Sequence, residues 1–129
     1  MKIIFNSIII CLSILFFSCD NKEQDVWKVY YFGGQSNMDG FGYNSELPDS
    51  LNGIIENAMI FDGNRDNEGK PTGGIGIWSP IEPGHGYEFK TDGKTNNLSE
   101  RFGPELSFAN TLAKKGTKVA IIKYSFGGT

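Results

Sequence analysis

Ser36 stands in the string Phe32-Gly33-Gly34-Gln35-Ser36-Asn37-Met38-Asp39-Gly40, directly after a run of strand-forming residues. A serine hydroxyl in a tight turn at the end of a strand is placed to attack a carbonyl. Such acyl transfer needs two further parts, a base that takes the hydroxyl proton and N–H donors that hold the oxyanion. A second glycine turn, Gly127-Gly128, closes another strand-like run, and with no Cβ in the way a backbone N–H there can approach a reacting carbonyl. The base is harder to assign. His85, the sole histidine, lies in Pro83-Gly84-His85-Gly86-Tyr87, and a histidine near a serine invites the role of general base. Taken singly, each feature has a plainer reading: a turn serine bonded to its own backbone, a glycine turn, a solvated loop histidine.

The strings taken together are more specific. Gly34-Gln35-Ser36-Asn37-Met38 resembles the nucleophile block of the SGNH-type esterases, in particular the sialate O-acetylesterase and carbohydrate esterase family 6 group. Phe102-Gly103-Pro104-Glu105-Leu106-Ser107-Phe108-Ala109 resembles that family's Gly-Pro-Glu helix start, and Tyr124-Ser125-Phe126-Gly127-Gly128-Thr129 the Gly-Gly-Thr that closes its next core strand. The resemblance covers residues 26–129, is strong at both ends and weak in the middle, and does not reach the family's later blocks. It implies Ser36 as nucleophile, backbone N–H groups of Ser36 and of Gly127 or Gly128 as the oxyanion hole, and Gln35, Asn37 and Glu105 as supporting residues. In the family the base lies in a late Asp-x-x-His block. His85 has no such aspartate beside it, so it is expected to be solvated or to line the substrate rim. An α/β-hydrolase is a weaker fit, because Met38 stands where the Gly-x-Ser-x-Gly elbow requires its last glycine.

The elements that must position these residues are unevenly marked. Val26, Trp27, Val29, Tyr30, Tyr31 and Phe32 are too continuously β-branched and aromatic for simple alternation, which predicts a strand buried on both faces of a parallel sheet. Residues 58–61 read as a second strand ended by Asp62-Gly63. Pro104 and Glu105 suit a first helical turn, Lys114 and Lys115 a last turn before Gly116, and Leu106, Ala109, Leu112 and Ala113 recur at helical spacing. Glu105 is therefore either a partner of the helix dipole or, as the resemblance implies, an anchor bracing the catalytic loops. Residues 118–124 form the clearest core strand, and strand, helix, strand order predicts a parallel crossover. Since ligands bind beyond the carboxyl ends of such strands, Ser36 and Gly127-Gly128 are expected side by side.

Two stretches lack such marks. Residues 41–53 have a loop composition with room for a single helical turn, and residues 63–103 are rich in Gly, Asn, Asp and Pro without periodicity, as in a functional surface loop. Asp62, Asn64 and Asp66 imitate the start of a calcium loop, but Asn67 and Gly73 occupy the positions that need glycine and glutamate. Gly69, Gly73, Gly74 and Gly76 are not followed by the ending of a phosphate loop. Trp78 either packs over the sheet edge or stacks on a sugar ring.

Residues 1–18 carry Lys2 and then an apolar run broken only by Asn6, Ser7, Cys11 and Ser13, shorter than the roughly 18 uninterrupted apolar residues of a spanning helix. They read as an export signal. Leu15-Phe16-Phe17-Ser18-Cys19 resembles a loose bacterial lipobox, which makes Cys19 the expected lipidated residue, followed by a polar tether over residues 19–25. With Cys11 and Cys19 at the signal, the folded part has no thiol. Removing Lys2 shifts the net charge from -3 to about -4, and no lysine and arginine cluster follows a phosphate backbone, so nucleic acid is excluded as a partner.

These readings converge on an α/β protein, a three-layer αβα sheet of SGNH-hydrolase type seen in its N-terminal portion. The expected function is removal of O-acetyl groups from sugars, of sialate O-acetylesterase or acetylxylan esterase type, with no metal or cofactor, by an exported lipoprotein held at the membrane. The blocks that carry the base are missing from these 129 residues, so the chain alone is expected to be inactive. The competing reading is a non-catalytic, surface-anchored carbohydrate-binding or interaction lipoprotein on the same scaffold.

Overall fold

The structure, a computed structural model, describes residues 26–67 and 69–127. The signal-like run, Cys19, the tether, Gly128 and Thr129 lie outside the described residues. Four strands form the central sheet: β1 (Trp27–Gly34), β3 (Ile55–Asp62), β4 (Trp78–Ile81) and β8 (Lys118–Ser125), in the spatial order β1-β8-β3-β4. β8 is parallel to both neighbours and β4 is an antiparallel edge carrying Pro80, a position where the missing N–H costs no ladder bond inside the sheet. The fold is thus α/β with a mixed sheet, not the fully parallel one expected.

Among the described residues, one helix covers the sheet. α2 (Glu105–Ala113) forms where Pro104 and Glu105 open it, and the chain leaves it at Gly116 with φ +80°, a conformation glycine adopts without steric cost. Its Leu106 and Ala109 pack with Ala58, Ile60, Val119 and Ile121, all nearly inaccessible. Each such aliphatic side chain contributes roughly 1.5–3 kcal/mol of burial. Phe108 extends the contact to β1, meeting Tyr30 and Phe32 edge-on with ring centroids 4.9 and 5.0 Å away.

The opposite face of the sheet is open among the described residues, which corrects two expectations. β1 is not buried on both faces: Val29 is 60% and Tyr31 70% exposed. Nor are there three layers, since no described helix packs on the face that carries Val29, Tyr31, Ile122 and Trp78. The apolar run in β1 encodes two faces that can be buried, and only the one toward α2 is.

Short elements fill the segments whose composition reads as loop. After β1 come α1 (Ser36–Asp39), β2 (Gly42–Tyr43) and two single-turn 3-10 helices, Asn44–Glu46 and Asp49–Leu51. Later, β5 (Lys90–Thr91) pairs with β6 (Asn96–Asn97), and β7 (Arg101–Phe102) pairs antiparallel with β2. The β2–β7 pair ties the chain just past Ser36 to the chain just before α2.

Candidate active site

The register of β1 on β8 decides what meets at the carboxyl edge. Gly33 lies opposite Tyr124, Gly34 opposite Ser125, and the Phe126 N–H donates to the Gly34 carbonyl at 3.0 Å. Both chains then leave the sheet together, Ser36 two residues beyond Gly34 and Gly127 two beyond Ser125. A Cβ built on Gly127 would sit 3.9 Å from Ser36 Cα and Cβ, so the two residues are neighbours. Gly128 lies outside the described residues.

Ser36 begins α1 and is exposed. The turn is held by the Gln35 carbonyl, which accepts the N–H groups of Met38 and Asp39 at 2.9 Å each, and by the Ser36 carbonyl, which accepts the Gly40 N–H at 3.0 Å. Asn37 is exposed beside it. Ser36, Asp39, Phe41, Arg65, Tyr87, Phe126 and Gly127 line a cleft of about 460 Å³.

Beneath the cleft lies a charged layer. Asp39 is almost fully buried, accepts the Ser125 hydroxyl at 2.9 Å and is paired with Arg65 through Nε. Arg65 also approaches Asp62 Oδ1, 3.7 Å from Nη2. Asp62 in turn lies 3.3 Å from His85 Nδ1. Deeper still, the Lys123 ammonium, fully buried, donates to Glu105 Oε2 at 2.8 Å, to the His85 carbonyl at 2.5 Å and to the Asp39 carbonyl at 3.2 Å. The second Glu105 oxygen accepts the Gly103 N–H at 2.8 Å. One lysine thus fixes the Ser36 turn, the His85 loop and the start of α2 to β8. Glu105 acts chiefly as the counter-charge of this anchor.

The expectation of a solvated or rim-lining His85 is overturned. Its side chain is inaccessible, its Nε2 is buried without a hydrogen-bond partner, and it packs on Phe89 at 4.9 Å between centroids. It does not line the Ser36 cleft. Burial follows from the backbone: Gly84 has φ +118°, and at Gly86 a Cβ would lie 2.5 Å from the Arg101 carbonyl carbon, so the His85 loop is pressed against the β7 segment. Trp78 is also elsewhere, 45% exposed on the edge strand and edge-on to Phe61 at 5.8 Å. The residues resembling a calcium loop do not converge: Asp62 faces His85, the Asn64 side-chain amide donates to the Thr72 carbonyl, and Asp66 accepts the Thr72 hydroxyl. The Asp66 carboxyl is held below its ordinary range chiefly by that hydroxyl and next by the Asn67 N–H.

Sequence reasoning missed Asp39, Arg65 and Lys123. Only Lys123 had a signal: it shares a strand face with Val119 and Ile121, which calls for a buried ammonium and hence a carboxylate partner.

Gly40 shows how tightly the turn is fitted. Its φ is +90°, and a Cβ there would overlap Gly103 Cα and lie 2.5 Å from the Phe102 carbonyl oxygen. Gly40→Ala is expected to destabilise the protein by at least about 1–3 kcal/mol, since overpacking adds to backbone strain. The shift of the urea midpoint measures it, and an unchanged midpoint would mean that the two loops separate without cost.

No family model matches this chain, and comparison with characterised proteins and with solved structures likewise finds no match.

Proposed function

We propose that this protein is an SGNH-type serine esterase that removes acetyl groups from sugar hydroxyls, with Ser36 as its nucleophile. The observation that carries the reading is the β1–β8 register, which brings a serine and a glycine turn together at the mouth of a cleft, as acyl transfer requires. Ser36 Oγ would attack the ester carbonyl and its proton pass to a base. The oxyanion would be held by backbone N–H groups of Ser36 and of the Gly127-Gly128 turn. Collapse would break the ester C–O bond, the sugar oxygen taking a proton, and water would then release acetate from Ser36. Asp39 and Arg65 form the floor of the cleft and set its charge, while Glu105 and Lys123 hold the turn from below.

No imidazole lines the cleft, and that observation favours the second reading, a carbohydrate-binding protein on the same scaffold. Hydrolysis of 4-nitrophenyl acetate and of O-acetylated xylo-oligosaccharides by the protein expressed from its own gene separates the two. Ser36-dependent turnover supports the esterase, and sugar binding without turnover the binding protein.

Cys19 belongs to the same proposal: it would carry the lipid that holds an exported protein at the membrane. A fatty-acid analogue is expected to label the wild type and not the Cys19→Ala variant. Label retained in that variant, or a mature N-terminus well past Cys19, would rule out attachment there.

A further inference from the structure

Phe41 and Tyr87 form a feature that the acyl-transfer reading does not use. Their rings stack with centroids 4.6 Å apart and planes at 22°, yet both remain 46% and 42% exposed. Both line the Ser36 cleft. They come from segments far apart in sequence and are fixed at their bases by hydrogen bonds from the same scaffold. The Tyr87 N–H donates to the Gly40 carbonyl at 2.8 Å, and the Phe41 carbonyl accepts Arg101 Nη1 at 2.8 Å. The Gly86 N–H donates to the Arg101 carbonyl at 2.9 Å.

An exposed aromatic pair gains little from folding, because the rings keep much of their contact with water. Held in place beforehand, it loses little side-chain freedom when a ligand covers it. Around it the cleft offers a hydroxyl at Ser36 and the Arg65–Asp39 ion pair, so the site combines apolar surface with a few placed polar groups, as small-molecule sites do. The face of an aromatic ring is electron-rich and attracts polarised C–H groups. A pyranose has such an apolar C–H face and a polar rim of hydroxyls, and both halves find counterparts here.

We propose that Phe41 and Tyr87 are the sugar platform of this cleft, taking the apolar face of a pyranose whose acetyl group points to Ser36. The inference rests on the esterase reading for the acetyl group and names the surface that would select the sugar. It also moves the aromatic contact away from Trp78, which lies on the edge strand β4 and does not line the cleft.

The test measures binding and turnover separately. In a Ser36→Ala background, which keeps the probe intact, mono-O-acetylated xylo-oligosaccharide and an O-acetylated sialic acid methyl glycoside are titrated by NMR. At least one is expected to bind. Phe41→Leu and Tyr87→Leu, which keep apolar volume and remove the ring face, are expected each to weaken binding about tenfold. Phe41→Tyr should restore it, and Trp78→Leu should leave it within about twofold, the error of a remote surface change. Failure of both probes to bind at several millimolar, or affinity unmoved by both leucine variants, would overturn the platform. Binding lost only in Trp78→Leu would overturn it too. Ring-dependent binding in a protein whose Ser36 form shows no turnover would keep the platform and discard the esterase. Ser36-dependent turnover with KM unmoved by both leucine variants would do the reverse.

Discussion

Replacing Ser36 with alanine is expected to lower kcat/KM for acetylated sugars by about 10⁴-fold to 10⁶-fold in the protein expressed from its own gene, leaving only what binding and the oxyanion donors supply. Among the described residues that line the cleft, Ser36 carries the sole aliphatic hydroxyl. Asp39, the carboxylate there, is buried, bonded to the Ser125 hydroxyl and neutralised by Arg65. Folding should be untouched, because Ser36 is exposed and surface changes of this kind stay within about 0.5 kcal/mol. The informative pair is therefore Ser36→Ala with His85→Gln. His85 is expected to act on stability through Asp62 and Phe89, with any loss of turnover following the loss of folded protein. A His85→Gln variant that folds normally but loses turnover as completely as Ser36→Ala would return the histidine to the role of base and sink the assignment made here.

Lys123→Met is expected to cost about 3–5 kcal/mol, the range for removing one member of a buried ion pair. Against a total of about 5–15 kcal/mol for a domain, that removes a large part of the stability. Glu105 would keep a single donor, the Gly103 N–H, for a charge with no access to water, and the carbonyls of Asp39 and His85 would each lose their ammonium partner. The double variant Lys123→Met with Glu105→Leu is expected to recover roughly half of the loss, since an apolar pair needs no compensating charge. Urea denaturation of the four proteins gives the coupling directly. If Lys123→Met alone leaves the midpoint unchanged, the ammonium is not what ties the three loops together.

Such an anchor explains why only part of this molecule is legible in its sequence. The strands β1 and β8 and the helix α2 are written locally, in β-branched runs and in Pro104, Glu105 and Gly116 at the helix ends, and their bounds in the structure are close to those read from the residues. The neighbourhood of Ser36 and Gly127 follows once β1 and β8 are parallel. The charged layer does not follow. Asp39, Asp62 and Arg65 each look like a solvated residue until the sheet brings their two segments to Lys123, and no local pattern records a partner 84 positions away, as Asp39 is from Lys123. The burial of His85 is hidden for the same reason: glycines on both sides look like a loop, whereas here they let the backbone press inward. β1 departs from its sequence pattern in the opposite sense, since an apolar side chain states a preference for burial and says nothing of what will cover it.

The place of β8 between β1 and β3 also orders events during synthesis. Trp27 pairs with Lys118 and Ala58 with Val119, so β1 has no partner in this sheet, and β3 only the edge strand β4, until β8 has been made. Topology of this kind closes long loops before any pairing energy returns, which slows folding. Until then β1 is an unpaired strand segment. An unpaired β1 is open to proteases and to aggregation for as long as β8 is delayed.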